Sequence, residues 1–181
     1  NLAPLRKSLG VRTVFNLLGP LVNPLRPDGQ VLGVATDDLL DPMAEALRSL
    51  GQDRAVVVHG SGGLDEASLV GPNPVRIREK GHLRSEWIAP EDLGLHQAPL
   101  EALRGGDLMC NQTILEELLK GRGSQAQNEV VAFNTALVLW VAGVESDFRH
   151  AAQKALAALA QGSPWSRMEQ LRDALSPAKE E

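Results

Sequence analysis

The run Arg54 to His59, with Val56-Val57-Val58 at its centre and Gly60 behind it, most constrains the fold of this chain. A continuous apolar stretch of this kind reads as a strand covered on both faces, as parallel strands are. A second short, β-branched run, Gln30 to Ala35, lies upstream. Between the two, Asp37, Asp38 and Asp41 can cap and charge the start of a helix running to Leu50, with Gly51 as its stop. Strand, helix and buried strand make a β-α-β unit.

The rest of the chain divides readily. From Ala3 to Leu18 the pattern is short and helical, with Pro4 suited to a first turn and Gly10 to a left-handed stop. Gly19 to Gly29 holds three prolines and two glycines, which predicts a loop and a domain boundary. Val75 to Ile88 alternates around Lys80-Gly81 and predicts a solvent-facing antiparallel hairpin. Helices are predicted over residues 107–120, 126–142, 147–161 and 165–175, followed by a polar tail from Pro177.

Composition narrows the function. With 181 residues, a formal charge of -5, 43% hydrophobic and 23% charged residues, the chain is an ordinary globular sequence and not a disordered or collagenous one. Its 3% aromatic content, without tyrosine, leaves few platforms for stacking bases, and the negative charge opposes phosphate-backbone binding. A single cysteine, Cys110, needs no oxidising compartment, so the cytoplasm is the expected location. The longest apolar stretch, Val130 to Val144, is broken by Asn134 and Thr135 and falls short of the roughly 18 apolar residues of a membrane span. The chain starts at Asn1 with no charged-then-apolar leader, which predicts a piece whose upstream part is missing.

Three constellations could carry chemistry. In His59-Gly60-Ser61-Gly62-Gly63-Leu64-Asp65-Glu66 a buried strand ends in a glycine-rich turn followed by two adjacent carboxylates, at the end of a strand where open α/β sheets bind ligands. Asp65 and Glu66, with neither cysteine nor clustered histidine, suit a hard cation such as Mg²⁺; the same pair is equally compatible with solvated residues opening a helical turn. His59 reads as a satisfied structural histidine, its role open. Arg6 carries a planar fork able to grip a carboxylate, Gly19 would admit a flat ligand close to the backbone, and Pro20 would present a stiff wall; an arginine on a short amphipathic helix is otherwise a solvated face. Leu103-Arg104-Gly105-Gly106-Asp107 looks like an anion nest, but Asp107 makes it a capped helix start.

Taken together, Asn1-Leu2-Ala3-Pro4-Leu5-Arg6, the run from Leu9 through Arg12-Thr13-Val14-Phe15-Asn16-Leu17-Leu18-Gly19-Pro20-Leu21-Val22-Asn23-Pro24, then His59-Gly60, Gly63-Leu64-Asp65-Glu66 and Leu103-Arg104-Gly105-Gly106-Asp107 closely resemble the anthranilate phosphoribosyltransferases. The resemblance covers essentially the whole chain. It implies transfer of the phosphoribosyl group of phosphoribosyl pyrophosphate to the amine of anthranilate in tryptophan biosynthesis, with Mg²⁺ as cofactor and a homodimer as the working form. It also implies that Arg6 faces the anthranilate carboxylate, that Gly19 and Pro20 line the acceptor channel, and that Asp65 and Glu66 bind magnesium; it assigns no catalytic nucleophile.

The implied fold is α/β, a central mostly parallel sheet flanked by helices. Residues 1–23 would be a remnant of a small helical domain and residues 24–181 the carboxyl-terminal part of the α/β domain. Two features depart from the family pattern. Cys110 stands where a glutamate commonly precedes Asn111, and the pyrophosphate-cradling Gly-Thr-Gly-Gly-Asp loop is absent from this sequence. The pyrimidine nucleoside phosphorylases share the architecture but lack the Arg-Thr-x-Phe-Asn run in this form, and a nucleic-acid-binding relative of the fold would need a basic stripe.

Overall fold

A computed structural model describes residues 14–176, with side chains from Leu18 onward. Helix α1 (Val14–Leu21) leads to strand β1 (Gly29–Gly33), helix α2 (Leu40–Ser49) and strand β2 (Arg54–Val58), which realises the expected β-α-β unit. β1 and β2 pair in parallel, Val31 beside Val56. Strands β3 (Asn73–Glu79) and β4 (His82–Ile88) form the hairpin around Lys80-Gly81, and four helices close the chain: α3 (Leu108–Leu119), α4 (Gln125–Val141), α5 (Phe148–Ala160) and α6 (Ser163–Leu175).

The α/β class holds, yet these four strands are not mostly parallel. Their order is β1-β2-β3-β4; β3 runs antiparallel to β2, and β4 antiparallel to β3. The hairpin therefore extends the sheet. Only β4 faces solvent along most of its length, while β3 is buried through Val75 and Ile77.

Two-residue periodicity sorts β2 between two cores. Val56 and Val58, with Val75 and Ile77, pack against Phe133, Ala136, Leu137 and Trp140 of α4 and Ala151 and Ala152 of α5. Ala55 and Val57, with Leu32 and Val34, pack against Leu40, Met43, Ala44 and Leu47 of α2. Three helices start on side-chain caps: Asp107 accepts from the Cys110 N–H, Asp147 from the His150 N–H, and Ser124 exchanges bonds with Gln127, whereas Gly162 before α6 offers no side chain to cap it. Asp41 does not serve as a helix cap; its carboxylate takes a two-pronged bond from Arg76 on β3, which holds it below the usual carboxylate range.

The predicted loop from Gly19 starts later than expected, because α1 continues through Gly19 and Pro20 to Leu21. A proline in the last turn withholds a single intrahelical bond, and the carbonyl of Pro20, orphaned at the helix end, accepts from Gln30 Nε2 at 3.0 Å. Among the described residues, no helix is long and apolar enough to cross a membrane.

Candidate functional site at the strand ends

At the carboxyl ends of β1 and β2 the chain folds a tight loop. His59 leaves β2 with its N–H donated to the Pro74 carbonyl, and its Nδ1 lies 2.9 Å from the Val34 carbonyl oxygen. A carbonyl only accepts, so Nδ1 carries the proton, and in the neutral ring Nε2 does not. The turn then closes on itself: the Gly60 N–H reaches the Leu64 carbonyl at 2.7 Å, and Gly62 and Gly63 take φ of 87° and 90°, where a side chain would be strained.

Asp65 and Glu66 follow, their side chains exposed and their backbone pressed onto the sheet. A Cβ on Gly33 would stand 1.5 Å from the Asp65 carbonyl oxygen, and one on Gly60 would stand 2.0 Å from that of Glu66. Only glycine fits at either place. Behind the pair, Ala67 and Ser68 are fully buried. The Ser68 and Ser61 N–H groups both donate to Oδ1 of the fully buried Asn73, whose Nδ2 reaches the carbonyls of Ser68, Gly71 and Ile88. Asn134 of α4 bonds both backbone groups of Ala67. Sequence reasoning misses both asparagines as parts of the site; for Asn134 a partner 67 residues away leaves no local periodic signal, and Asn73 bonds across the loop and to β4 with no spacing pattern that marks it.

Two exposed carboxylates on a fixed loop suit a hard cation that keeps waters and shares its shell with a phosphate ligand. They do not suit a closed protein cage, because no group of three His, Cys, Asp or Glu able to hold a metal occurs among the described residues. Asp65 and Glu66 are thus the residues that could hold Mg²⁺.

The remaining candidates lie elsewhere. Arg6 is outside the described residues. Gly19 and Pro20 sit at the amino end of β1, tied there through Gln30, which also accepts from Gln52 Nε2. Four residues of strand, roughly 13 Å, separate that end from Gly33 and the acidic loop. The structure therefore does not bring Gly19 and Pro20 together with Asp65 and Glu66. A cavity of about 860 Å³, lined by Leu21, Arg26, Leu50, Gln52 and Asp53 among others, lies beside the end of α1. The Gly105-Gly106 turn is occupied by the chain itself: the Gly106 N–H donates to Asn111 Oδ1, Asn111 Nδ2 donates back to the Gly106 carbonyl, and Asp107 caps α3, as the capped-helix reading expected.

Comparison with known proteins places this arrangement. A family model described as glycosyl transferase family, a/b domain, matches residues 1–164. The chain belongs to that family. This glycosyl transferase domain is 92% identical over 181 residues to the anthranilate phosphoribosyltransferase of Synechococcus sp. (strain WH7803), covering 100% of this chain and 52% of that protein. It is 66% identical to the enzyme of Synechococcus sp. (strain CC9311), again over 100% of this chain and 52% of that one.

Among solved structures, anthranilate phosphoribosyltransferase from Thermus thermophilus matches with a TM-score of 0.86 and 42% identity over 93% of this chain and 50% of that one. The Saccharomyces cerevisiae enzyme in complex with PRPP and Mg matches with a TM-score of 0.83 and 26% identity over 96% of this chain and 48% of that one. The domain spans about half the length of the curated relatives it matches.

Proposed function

We propose that the protein carrying these residues transfers the phosphoribosyl group of phosphoribosyl pyrophosphate to the amine of anthranilate, as an enzyme of tryptophan biosynthesis. The observation that carries this reading is 92% identity along all 181 residues to a protein of that name. In the reaction the amine nitrogen bonds to the anomeric carbon, the bond from that carbon to the pyrophosphate oxygen breaks, and the amine gives up a proton. No covalent nucleophile is called for, so positioning and electrostatics supply the acceleration.

Asp65 and Glu66 are the residues that would hold Mg²⁺, and a solved relative with PRPP and Mg supports the cation's use. When bound, the cation supplies positive charge against the departing pyrophosphate. The loop's own part is to keep both carboxylates fixed at the strand ends. Arg6 takes the anthranilate carboxylate, and Gly19 and Pro20 line the acceptor channel; the support for all three is the resemblance of their motifs, to which the described geometry adds nothing. By the same resemblance, residues 1–23 complete a helical domain, residues 24–181 belong to the α/β domain, and the enzyme works in the cytoplasm as a homodimer.

The test is made on the protein as its gene encodes it, with anthranilate, phosphoribosyl pyrophosphate and Mg²⁺, following the loss of anthranilate fluorescence. Turnover is expected. In the Arg6→Lys variant the KM for anthranilate should rise roughly tenfold while that for phosphoribosyl pyrophosphate holds, because lysine keeps the charge and loses the fork. Absence of turnover, or phosphorolysis of thymidine in its place, overturns the reading.

A further inference from the structure

The acidic loop is held from two sides, by unlike means. On the sheet side it rests on Gly33 and Gly60, where the Asp65 and Glu66 carbonyl oxygens lie too close for any Cβ. On the helix side it is tied by Asn134. The Ala67 N–H donates to Asn134 Oδ1 at 2.9 Å, Asn134 Nδ2 donates to the Ala67 carbonyl at 2.8 Å, and the same Nδ2 reaches Val130 of its own helix at 3.0 Å. Ala67 is fully buried, and among the described residues its backbone groups have no other partner. One planar amide does for this residue what a neighbouring strand would do.

Burial alone would not select an asparagine here. Helix α4 is already anchored by Phe133, Ala136, Leu137 and Trp140. Asn134 instead sits on the rim, where it shares with Glu66, Val131, Thr135 and Val138 a cavity of about 350 Å³. The N–H it captures belongs to the Glu66–Ala67 peptide plane. Fixing that plane removes the rotation that would swing Glu66 relative to Asp65.

We propose that Asn134 is a positioning residue for the acidic pair: by pinning Ala67 to α4 it sets the direction in which the Asp65 and Glu66 carboxylates leave the loop. The inference rests on the reading of those carboxylates as ligands of a divalent cation. Two like charges side by side repel, and a cation that takes only one or two protein oxygens is bound well when those oxygens are already in place.

The experiment uses the protein as its gene encodes it, with amide exchange followed by NMR and Mn²⁺ alone as the paramagnetic probe. In the parent, Mn²⁺ should broaden the amides of residues 64–67. Asn134→Leu, which keeps the bulk and removes both bonds, should speed exchange at residues 65–68 about tenfold or more and weaken Mn²⁺ by a similar factor, with exchange in the 75–88 hairpin unchanged. Asn134→Asp, which keeps an acceptor for the Ala67 N–H, should restore protection at that amide. Asn128→Ala, which removes an amide bonded to Gly123 in the first turn of α4, should leave both readouts alone. Unchanged loop exchange in Asn134→Leu overturns the proposal, as does unchanged Mn²⁺ affinity where the parent binds. A parent that shows no broadening overturns the metal reading of Asp65 and Glu66, and the clamp then stands or falls on exchange alone.

Discussion

Asn73 and Glu129 show how single polar side chains hold this fold where periodicity is silent. Asn73 is fully buried, yet its amide serves five backbone groups and ties the acidic loop to the end of β4. Glu129, buried on α4, accepts from the His96 N–H at 2.8 Å, from His96 Nδ1 at 2.8 Å and from Gln125 Nε2 at 3.0 Å. Burial works to raise its carboxyl; the donors from Gln125 and from the His96 backbone and ring outweigh it and hold the group below the usual range. A depressed carboxylate stabilises the fold above its unfolded value and loses that contribution as the pH falls through the folded one. Glu129→Gln keeps one acceptor oxygen and sets an NH2 where the carboxylate's other oxygen took a bond, against a donor from His96 or Gln125, and should cost about 2 kcal/mol near neutral pH. In urea unfolding at stepped pH, the gap to the parent should shrink as the medium is acidified below the ordinary glutamate range. A gap that stays constant into acid would show that the charge of Glu129 contributes nothing.

At the scale of elements, much was legible because local chemistry decides it. The β2 valines, the Lys80-Gly81 turn, the Asp107 cap and the helix start at Asp147 each lie within a few residues of what they specify. Pairing choices were not legible. The run Val75 to Ile88 announces a hairpin but not that β3 docks on β2, since Arg76 and Arg78 look solvated until Asp41 and the Gln52 carbonyl supply their partners. Gly19 and Pro20 read as punctuation, yet close a helix whose last carbonyl is met by Gln30. The place of Asp65 and Glu66 at the strand ends was legible, whereas the reason for Gly33 was not, because the Asp65 carbonyl it makes room for is remote in sequence. Gly33→Ala should cost about 1–3 kcal/mol by overpacking, and the disturbance should appear first in the 60–67 loop. Chemical denaturation gives the cost, and amide exchange gives its location; stability and loop protection equal to the parent's would show that the loop yields freely.

At the scale of the whole molecule, the described parts do not amount to a reaction centre. The acidic loop lies at the carboxyl ends of β1 and β2, and the Gly19-Pro20 end of α1 lies where β1 begins. The glycine-rich turn that resembles an anion nest is spent on Asn111, so its Gly106 N–H is already taken when a phosphate arrives. A formal charge of -5 gives no general field to gather a polyphosphate. Holding two reactants in line can be worth about 7 to 11 kcal/mol of barrier, a contribution that vanishes when one of them has no cradle. Residues 1–181 assayed alone should therefore be catalytically silent toward anthranilate and phosphoribosyl pyrophosphate, even where Mn²⁺ binding and hairpin exchange report a folded chain. The matched relatives are about twice as long, and the protein as its gene encodes it is the positive control. The measurement is loss of anthranilate fluorescence with phosphoribosyl pyrophosphate and Mg²⁺ at equal molar concentrations of the two proteins. Turnover by residues 1–181 near that of the control would mean that the pyrophosphate is held by groups within this chain, and the assignment of its anion site would have to be made again.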